Sequence, residues 1–132
     1  MSYHDRDTGL IEEKFVKLYY EDISKLLELN TNEMKVLISH IRYLNYTDNI
    51  VMLTPEQKQA VQDKTALSDG SYRNATSQLV KKGLYKRLGQ GVFQINPDII
   101  YKGKQGSRAR LIIDYYEDGS REMNVEEVEE EI

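Results

Sequence analysis

Polar and basic side chains of the types that contact DNA recur between positions 68 and 90. They are Ser68, Ser71, Arg73, Asn74, Ser77, Lys81, Lys82, Lys86, Arg87 and Gln90. Arginine and asparagine read base edges through paired hydrogen bonds, whereas lysine and serine bind phosphate oxygens. The residue types and their spacing therefore predict a surface that binds double-stranded DNA.

Two short helices are predicted to carry the first part of this surface. Thr54 can cap the first helix, with Pro55 at its first position and Gln57 completing a capping box. Ser68 is expected to cap the second helix. The buried face of that helix follows the spacing i, i+3, i+4, i+7, at Tyr72, Ala75, Thr76 and Leu79. The polar residues between these positions are then expected to point outward.

A basic hairpin is predicted to follow the second helix. Gly83 stands where a left-handed residue ends a helix, and Gly89-Gln90-Gly91 supplies the turn between two strands. Lys86 and Arg87 lie on the first of these strands. Helix, turn, helix and basic hairpin is the order of a winged helix-turn-helix, whose second helix reads the major groove.

The remaining segments fit an α+β class. The apolar residues of 15–29 keep helical spacing, which predicts one core-facing helix or two joined at residues 20–22. Asn30 with Glu33 forms the next capping box. An apolar stripe then follows at Met34, Leu37, Ile38, Ile41 and Leu44. Residues 50–53 predict a strand that pairs with the hairpin, and residues 110–116 predict another strand. The predicted winged helix-turn-helix domain spans 15–116, between a polar N-terminal arm at 1–14 and an acidic tail at 117–132.

Charge is unevenly distributed along the chain, whose net charge is −4. Between Lys81 and Arg110, eight lysine and arginine residues stand against one acidic residue, Asp98. The last sixteen residues carry eight acidic side chains and one arginine. The acidic end therefore masks a basic stretch whose sign suits nucleic acid.

Other residue patterns argue against enzyme, metal and membrane functions. The chain has no cysteine, and its two histidines, His4 and His40, are far apart in sequence, so no metal site is expected. His40 flanks the apolar stripe and is expected to be a surface or half-buried structural histidine. No phosphate-binding Gly-rich loop is present, and no apolar run approaches the roughly 20 residues of a membrane span. We expect a soluble, cytoplasmic protein without enzymatic activity or cofactor.

Two classes of function remain open. In the first, the protein binds a specific DNA site, as a transcriptional regulator or repressor does. A homodimer is expected in that class, because one helix in one groove gives limited affinity. In the second class, the same fold is a protein-interaction module whose basic face meets an acidic partner.

Residues 15–116 also resemble the RepL-type plasmid replication proteins of Gram-positive bacteria. The resemblance rests on Phe15-Val16-Lys17, the stripe from Met34 to Leu44, Lys82-Gly83, and the hairpin followed by Ile95-Asn96-Pro97-Asp98-Ile99-Ile100-Tyr101-Lys102-Gly103. The last string is the most specific part. The chain departs from the family pattern in its shorter N-terminal region and more acidic end. The resemblance implies an initiator or copy-control protein that binds origin DNA and recruits host replication proteins.

The acidic tail is predicted either to compete with DNA for the basic stretch or to serve as a solubilising or docking end. Competition between charges fades as salt shortens the screening length. If the tail competes, a protein that ends at Tyr116 binds random DNA more tightly than the full chain at low salt and equally at high salt. Salt titrations of both proteins with random DNA measure this difference. Equal affinities at every salt concentration would exclude competition.

Overall fold

The structure of the protein, a computed structural model, describes residues 15–117. The predicted N-terminal arm, and the acidic tail beyond residue 117, lie outside the described residues. The described part confirms the α+β class. It contains helices α1 (Thr31–Ile41), α2 (Pro55–Thr65), α3 (Asp69–Lys81) and α4 (Gln105–Tyr115), a 3-10 helix (Ile23–Glu28), and strands β1 (Lys17–Leu18), β2 (Ile50–Met52), β3 (Tyr85–Gly89), β4 (Val92–Ile95) and β5 (Ile100–Tyr101).

The strands form two small antiparallel sheets. The larger sheet has the order β2-β4-β3, in which Val51 pairs with Phe93 and Tyr85 pairs with Ile95. The smaller sheet pairs β1 with β5. Gln90 and Gly91 connect β3 to β4, and a bulge follows Arg87. The predicted hairpin and its pairing with the strand predicted at residues 50–53 are therefore confirmed.

Each of the first three α-helices begins at its predicted N-cap residue, whose side chain accepts a local hydrogen bond. The side chains of Asn30 and Thr54 each take part in a complete capping box, with Glu33 and Gln57 respectively. Ser68 accepts a hydrogen bond from the backbone N–H of Ser71, 3.1 Å away. These bonds satisfy backbone donors that the first turn of a helix leaves without partners.

Helix α3 ends in a Schellman motif. The N–H of Leu84 donates to the carbonyl of Leu79, and the N–H of Gly83 donates to the carbonyl of Val80. Gly83 has a φ of 83°, a left-handed conformation that glycine adopts without steric penalty. The predicted end of the helix is therefore confirmed, and β3 begins two residues later.

The core lies between α1, α2, α3 and the larger sheet. Helix α1 packs against both α2 and α3. The predicted inner face of α3 is buried at all four positions, Tyr72, Ala75, Thr76 and Leu79. This face therefore packs as its i, i+3, i+4, i+7 spacing requires.

The helical prediction for residues 15–29 is wrong in its first part, and a break at residues 20–22 separates that part from a short helical segment. Its first part is strand β1, and the N–H of Tyr19 donates to the carbonyl of Ile99, so this backbone is bonded to the β5 segment rather than to its own preceding turn. The later part is a 3-10 helix in which the side chain of Leu27 is 88% exposed. Pairing with a segment some eighty residues away outweighs the local helical spacing.

The buried face of α1 also differs from the predicted stripe. Ile38 is 60% exposed, whereas the buried positions are Glu33, Val36, Leu37 and His40. These four keep the same i, i+3, i+4, i+7 spacing, but the face begins one residue earlier and includes two polar side chains. A search for apolar residues alone misses such a face, because its polar members are satisfied by distant partners.

The strand predicted at residues 110–116 is wrong, because this segment belongs mainly to α4. Its buried positions are Ile112, Tyr115 and Tyr116, whose i, i+3, i+4 spacing is helical. The hydroxyl of Tyr116 donates to Asp98 and accepts from the side-chain amide of Asn96, at 2.9 and 3.0 Å. The last turn of the domain is thereby bonded to the turn that follows the hairpin.

Glu33 is buried on α1 and forms an ion pair with Lys82. The Lys82 Nζ atom lies 2.6 Å from Glu33 Oε1 and donates a second bond to the carbonyl of Glu28. Glu33 is only 2% exposed, so its carboxylate depends on these protein partners rather than on water. The pair connects the start of α1 to the end of α3.

We expect Lys82→Met to lower the free energy of unfolding by about 3 kcal/mol, because it leaves a buried carboxylate without its cation. Urea denaturation measures the loss. Lys81→Met is the matched control, since Lys81 is the exposed last residue of α3 and directly precedes Lys82. Adding Glu33→Gln to Lys82→Met should restore part of the stability. Equal losses in the Lys81 and Lys82 variants would show that the ion pair contributes nothing.

Candidate nucleic-acid interface

A cleft of about 270 Å³ opens between α3 and the β3–β4 hairpin. Arg73 and Ser77 line it from α3, and Arg87 and Gln90 line it from the hairpin. The cleft therefore brings together four of the residues predicted to bind DNA. They come from two elements whose relative position no local pattern in the sequence predicts.

The outer face of α3 carries the other predicted residues of this helix. Arg73 and Asn74 are exposed, whereas Ser71 and Ser77 are half-buried. The Ser68 hydroxyl, at the helix N-terminus, donates to the hydroxyl of Ser71 over 3.1 Å. A helix N-terminus carries a partial positive charge that favours phosphate. This face thus places the exposed side chains of Arg73 and Asn74 near a helix N-terminus.

Asp69 holds the cations on the helical side of the cleft. Its carboxylate lies 3.0 Å from Arg73 Nε and 3.3 Å from Lys58 Nζ. Hydrogen bonds from Gln62 and Lys58 lower the pKa of Asp69 below its usual value, so the group is ionised at neutral pH. A guanidinium has five N–H donors, which one carboxylate does not saturate. Asp69 therefore contacts Arg73 without using all of its guanidinium donors.

The two basic residues of β3 point in different directions. Arg87 is exposed and its guanidinium lies 4.9 Å from the centre of the Phe93 ring, beside the cleft. The Lys86 ammonium donates to the backbone carbonyl of Tyr115 at 2.8 Å. Successive side chains of a strand face opposite sides of the sheet. Arg87 therefore belongs to the cleft, whereas Lys86 fastens the hairpin to α4.

The basic stretch of residues 81–110 divides into anchoring and exposed side chains. The anchoring residues bond to other parts of the described domain: Lys82 to Glu33, Lys86 to Tyr115, Lys102 to the carbonyl of Leu44, and Arg108 to the carbonyls of Pro97 and Asp98. The exposed residues are Lys81, Arg87, Lys104 and Arg110. Of the predicted DNA-binding residues, Lys82 and Lys86 thus have identifiable structural partners.

Lys58 is a cleft residue that the sequence prediction missed. It lies on α2, and its ammonium is 5.6 Å from the centre of the Tyr72 ring of α3. Helix α2 is polar on most of its surface, so its sequence does not show which side approaches α3. The packing of the two helices alone brings Lys58 to the cleft.

His40 lies beneath the cleft and is fully buried, not at the surface or half-buried as expected. Its Nε2 atom is 2.7 Å from the hydroxyl of Tyr72, and its Nδ1 atom is 2.7 Å from the hydroxyl of Tyr85. Burial lowers the pKa of His40 to about 4, so the imidazole is neutral at physiological pH. The predicted structural role of this histidine agrees with these contacts.

The Tyr72–His40 pair is not arranged as an activated nucleophile. Burial, with a smaller contribution from the negative charge of Asp69, raises the pKa of Tyr72 to about 12. An imidazole with a pKa of about 4 is too weak a base to remove such a proton. The cleft therefore presents the cations Lys58, Arg73 and Arg87 above the hydrogen-bonded side chains of His40 and Tyr72.

Residues 15–117 contain no group of three or more His, Cys, Asp or Glu side chains that could hold a metal ion. No helix in this part of the chain is long and apolar enough to cross a membrane.

The chain is thus an α+β protein with basic side chains lining a cleft between a helix and a hairpin. Comparison with known families shows to which family it belongs. The chain belongs to the RepL family, because the model of the Firmicute plasmid replication protein (RepL) matches residues 5–132. This confirms the resemblance seen in the sequence and makes the chain a plasmid replication protein. Searches of curated proteins and of solved structures found no match.

We expect His40 to make the protein less stable in acid. The unfolded histidine, with its pKa of 6.5, binds a proton that the folded one, with a pKa of about 4, does not bind until lower pH. The contribution of the neutral His40 to the free energy of unfolding is therefore full above pH 6.5. It declines as the pH falls to 4, by about 3 kcal/mol in total. Urea denaturation at pH 7 and pH 4 measures the decline.

The His40→Gln variant is the control for this pH dependence, because it cannot titrate and keeps every carboxylate. It should lose about 3 kcal/mol less than the wild type between the two pH values. Identical losses in both proteins would mean that the buried imidazole does not control the acid response.

Proposed function

We propose that this plasmid replication protein binds a specific double-stranded DNA site in the replication origin through a winged helix-turn-helix. In this proposal α3 is the recognition helix in the major groove, and the β3–β4 hairpin is the wing beside it. The observation that carries the proposal is the shared cleft, in which Arg73 and Ser77 face Arg87 and Gln90. Plasmid replication requires recognition of the plasmid's own DNA, which supports an origin as the target.

The connection between α2 and α3 supports the helix-turn-helix assignment. Only Ala66, Leu67 and Ser68 separate the two helices, and Ala66 has a left-handed φ of 59°. The N–H of Leu67 donates to the carbonyl of Gln62, which closes the turn. Such a short turn sets two helices at a steep angle, so that one can cross the DNA backbone while the next enters the groove.

The chemistry of the two cleft walls suggests different roles for them. Arg73 and Asn74 are exposed side chains that can form paired hydrogen bonds with guanine and adenine edges. Arg87 and Gln90 lie on the hairpin, where they would follow the phosphate backbone or the minor groove. Lys58 would add a phosphate contact from α2. Specificity would then come mainly from α3, and sequence-independent affinity mainly from the hairpin.

The remaining parts of the proposal concern assembly and chemistry. We propose that the protein acts in the cytoplasm as a homodimer on a site with two halves, since one recognition helix gives limited affinity. Host replication proteins would be its further partners. In this role the protein positions DNA without an enzymatic reaction or a cofactor. A transcriptional repressor would use the same surface, and a protein-interaction module would not require DNA.

Two arginine substitutions should separate base reading from backbone contact. We expect Arg73→Ala to weaken binding to the preferred site by about 1–3 kcal/mol and binding to random DNA by less. We expect Arg87→Ala to weaken both alike and to reduce the salt slope by about 0.9, the value for one phosphate contact. Fluorescence anisotropy with the site protected on the plasmid's own DNA, and with random DNA, measures both effects.

Lys35→Ala is the matched control for these variants. It removes the same charge from an exposed position on α1, and Lys35 itself does not line the cleft. Its affinity and salt slope should stay close to those of the wild type. If Lys35→Ala weakens binding as much as Arg87→Ala, overall charge and not the hairpin determines affinity. If the wild type prefers no plasmid sequence, the protein-interaction alternative gains instead.

A further inference from the structure

We infer that His40 is a positioning residue that sets the distance between α3 and the hairpin, and hence the spacing of Arg73 and Arg87 across the cleft. The inference about geometry concerns the protein alone. Its consequence for DNA recognition rests on the proposed function.

His40 contacts both walls of the cleft from a third element. It belongs to α1, and it reaches Tyr72 of α3 through one ring nitrogen and Tyr85 of β3 through the other, each over 2.7 Å. Its ring also stacks on Phe93 of β4, with centroids 6.4 Å apart and planes 22° from parallel. One side chain thus joins the helix and both strands of the hairpin.

Each partner of His40 stands next to a cleft arginine. Tyr72 directly precedes Arg73 on α3. Tyr85 lies two residues before Arg87, so both side chains are on the same face of β3. Phe93 pairs with Arg87 across the sheet and its ring contacts the Arg87 guanidinium. A shift at any of these three contacts would therefore be passed to an arginine of the cleft.

The two hydrogen bonds of His40 restrict the relative position of α3 and the hairpin more strictly than apolar packing would. A neutral imidazole has one donor and one acceptor, so one tyrosine hydroxyl must donate to it and the other must accept from it. All three groups are buried, where a polar atom without a partner is strongly unfavourable. Separating the helix from the hairpin would leave at least one such atom, whereas apolar side chains could slide with little loss.

A second polar contact between α3 and the hairpin lies at the other end of the helix. Asn96, just after β4, donates to the carbonyl of Gly83 at 3.0 Å and so fastens the C-terminal end of α3 to the base of the hairpin. His40 acts instead near the N-terminal half of α3, where Arg73 lies. The two contacts are made at different ends of the same helix, and His40 makes the one next to Arg73.

Distance measurements between spin labels test the geometry without DNA. The chain has no cysteine, so Asn74→Cys and Gln90→Cys place one label on α3 and one on the hairpin turn. In a His40→Phe background, which keeps a ring and removes both hydrogen bonds, we expect a broader or shifted distance distribution by electron paramagnetic resonance. Tyr101→Phe is the matched control, because it removes a buried tyrosine hydroxyl that donates to the carbonyl of Lys104, outside the cleft lining.

Two further variants keep the test decisive if His40→Phe does not fold. Tyr72→Phe and Tyr85→Phe each remove one of the two bonds and leave the imidazole in place. Each should broaden the distribution when circular dichroism shows a folded protein, and Tyr101→Phe should not. Folded His40→Phe, Tyr72→Phe and Tyr85→Phe proteins with the wild-type distribution would overturn the inference.

DNA binding by the unlabelled variants tests the consequence. We expect His40→Phe to weaken binding to the preferred site about tenfold or more, the scale of a lost buried hydrogen bond, and binding to random DNA less. His40→Gln, which keeps a donor and an acceptor, should recover part of the difference. Altered distances with unchanged preference would refute the link to recognition. A wild type that binds no DNA would refute the proposed function, while the distances still decide the inference.

Discussion

A buried imidazole must satisfy both of its nitrogens without water, and much of this domain is arranged around that requirement. The two hydroxyls that bond to His40 come from α3 and β3. At the other end of α1, the carboxylate of Glu33 is satisfied by Lys82, just beyond α3. The N-terminal end of α1 thus contacts the C-terminal end of α3, and the C-terminal end of α1 contacts the N-terminal half of α3. Two polar contacts thereby fix the relative orientation of α1 and α3, whose interface is otherwise mainly apolar.

The basic residues of the chain serve two purposes that their charge alone does not distinguish. Lys82, Lys86, Lys102 and Arg108 bond to carbonyls or carboxylates of other segments and hold those segments together. Arg73 and Arg87 stand at the cleft, where the first is oriented by Asp69 and the second by the Phe93 ring. A positive stretch in a sequence therefore overstates the positive surface that a ligand meets.

The string around Asn96, the most specific sign of the family, has a structural explanation. Asn96 donates to the carbonyl of Gly83 and to Tyr116, and its side-chain oxygen accepts from the N–H of Asp98. Asn49 makes a similar junction, since its amide donates to the carbonyls of Ile95 and Ile100. These two buried asparagines connect the hairpin to β5 and α4. The family string thus marks a joint of the fold, and the proposed DNA contacts lie outside it.

The sequence by itself determined the features that depend on neighbours within a few residues. These are the three helix caps, the glycine end of α3, the hairpin turn and the buried face of α3, because their hydrogen bonds and spacing are local. Only the tertiary structure decided the rest. Residues 17–19 pair with a segment some eighty positions away. Helix α1 buries a glutamate and a histidine that bond to residues over thirty positions away. Residues 110–115 lie in a helix that is bonded to the hairpin through Lys86. The cleft, with Lys58 as an unforeseen member and Lys82 and Lys86 bonded elsewhere, follows from those distant contacts, since burial and ion pairing depend on which surfaces meet.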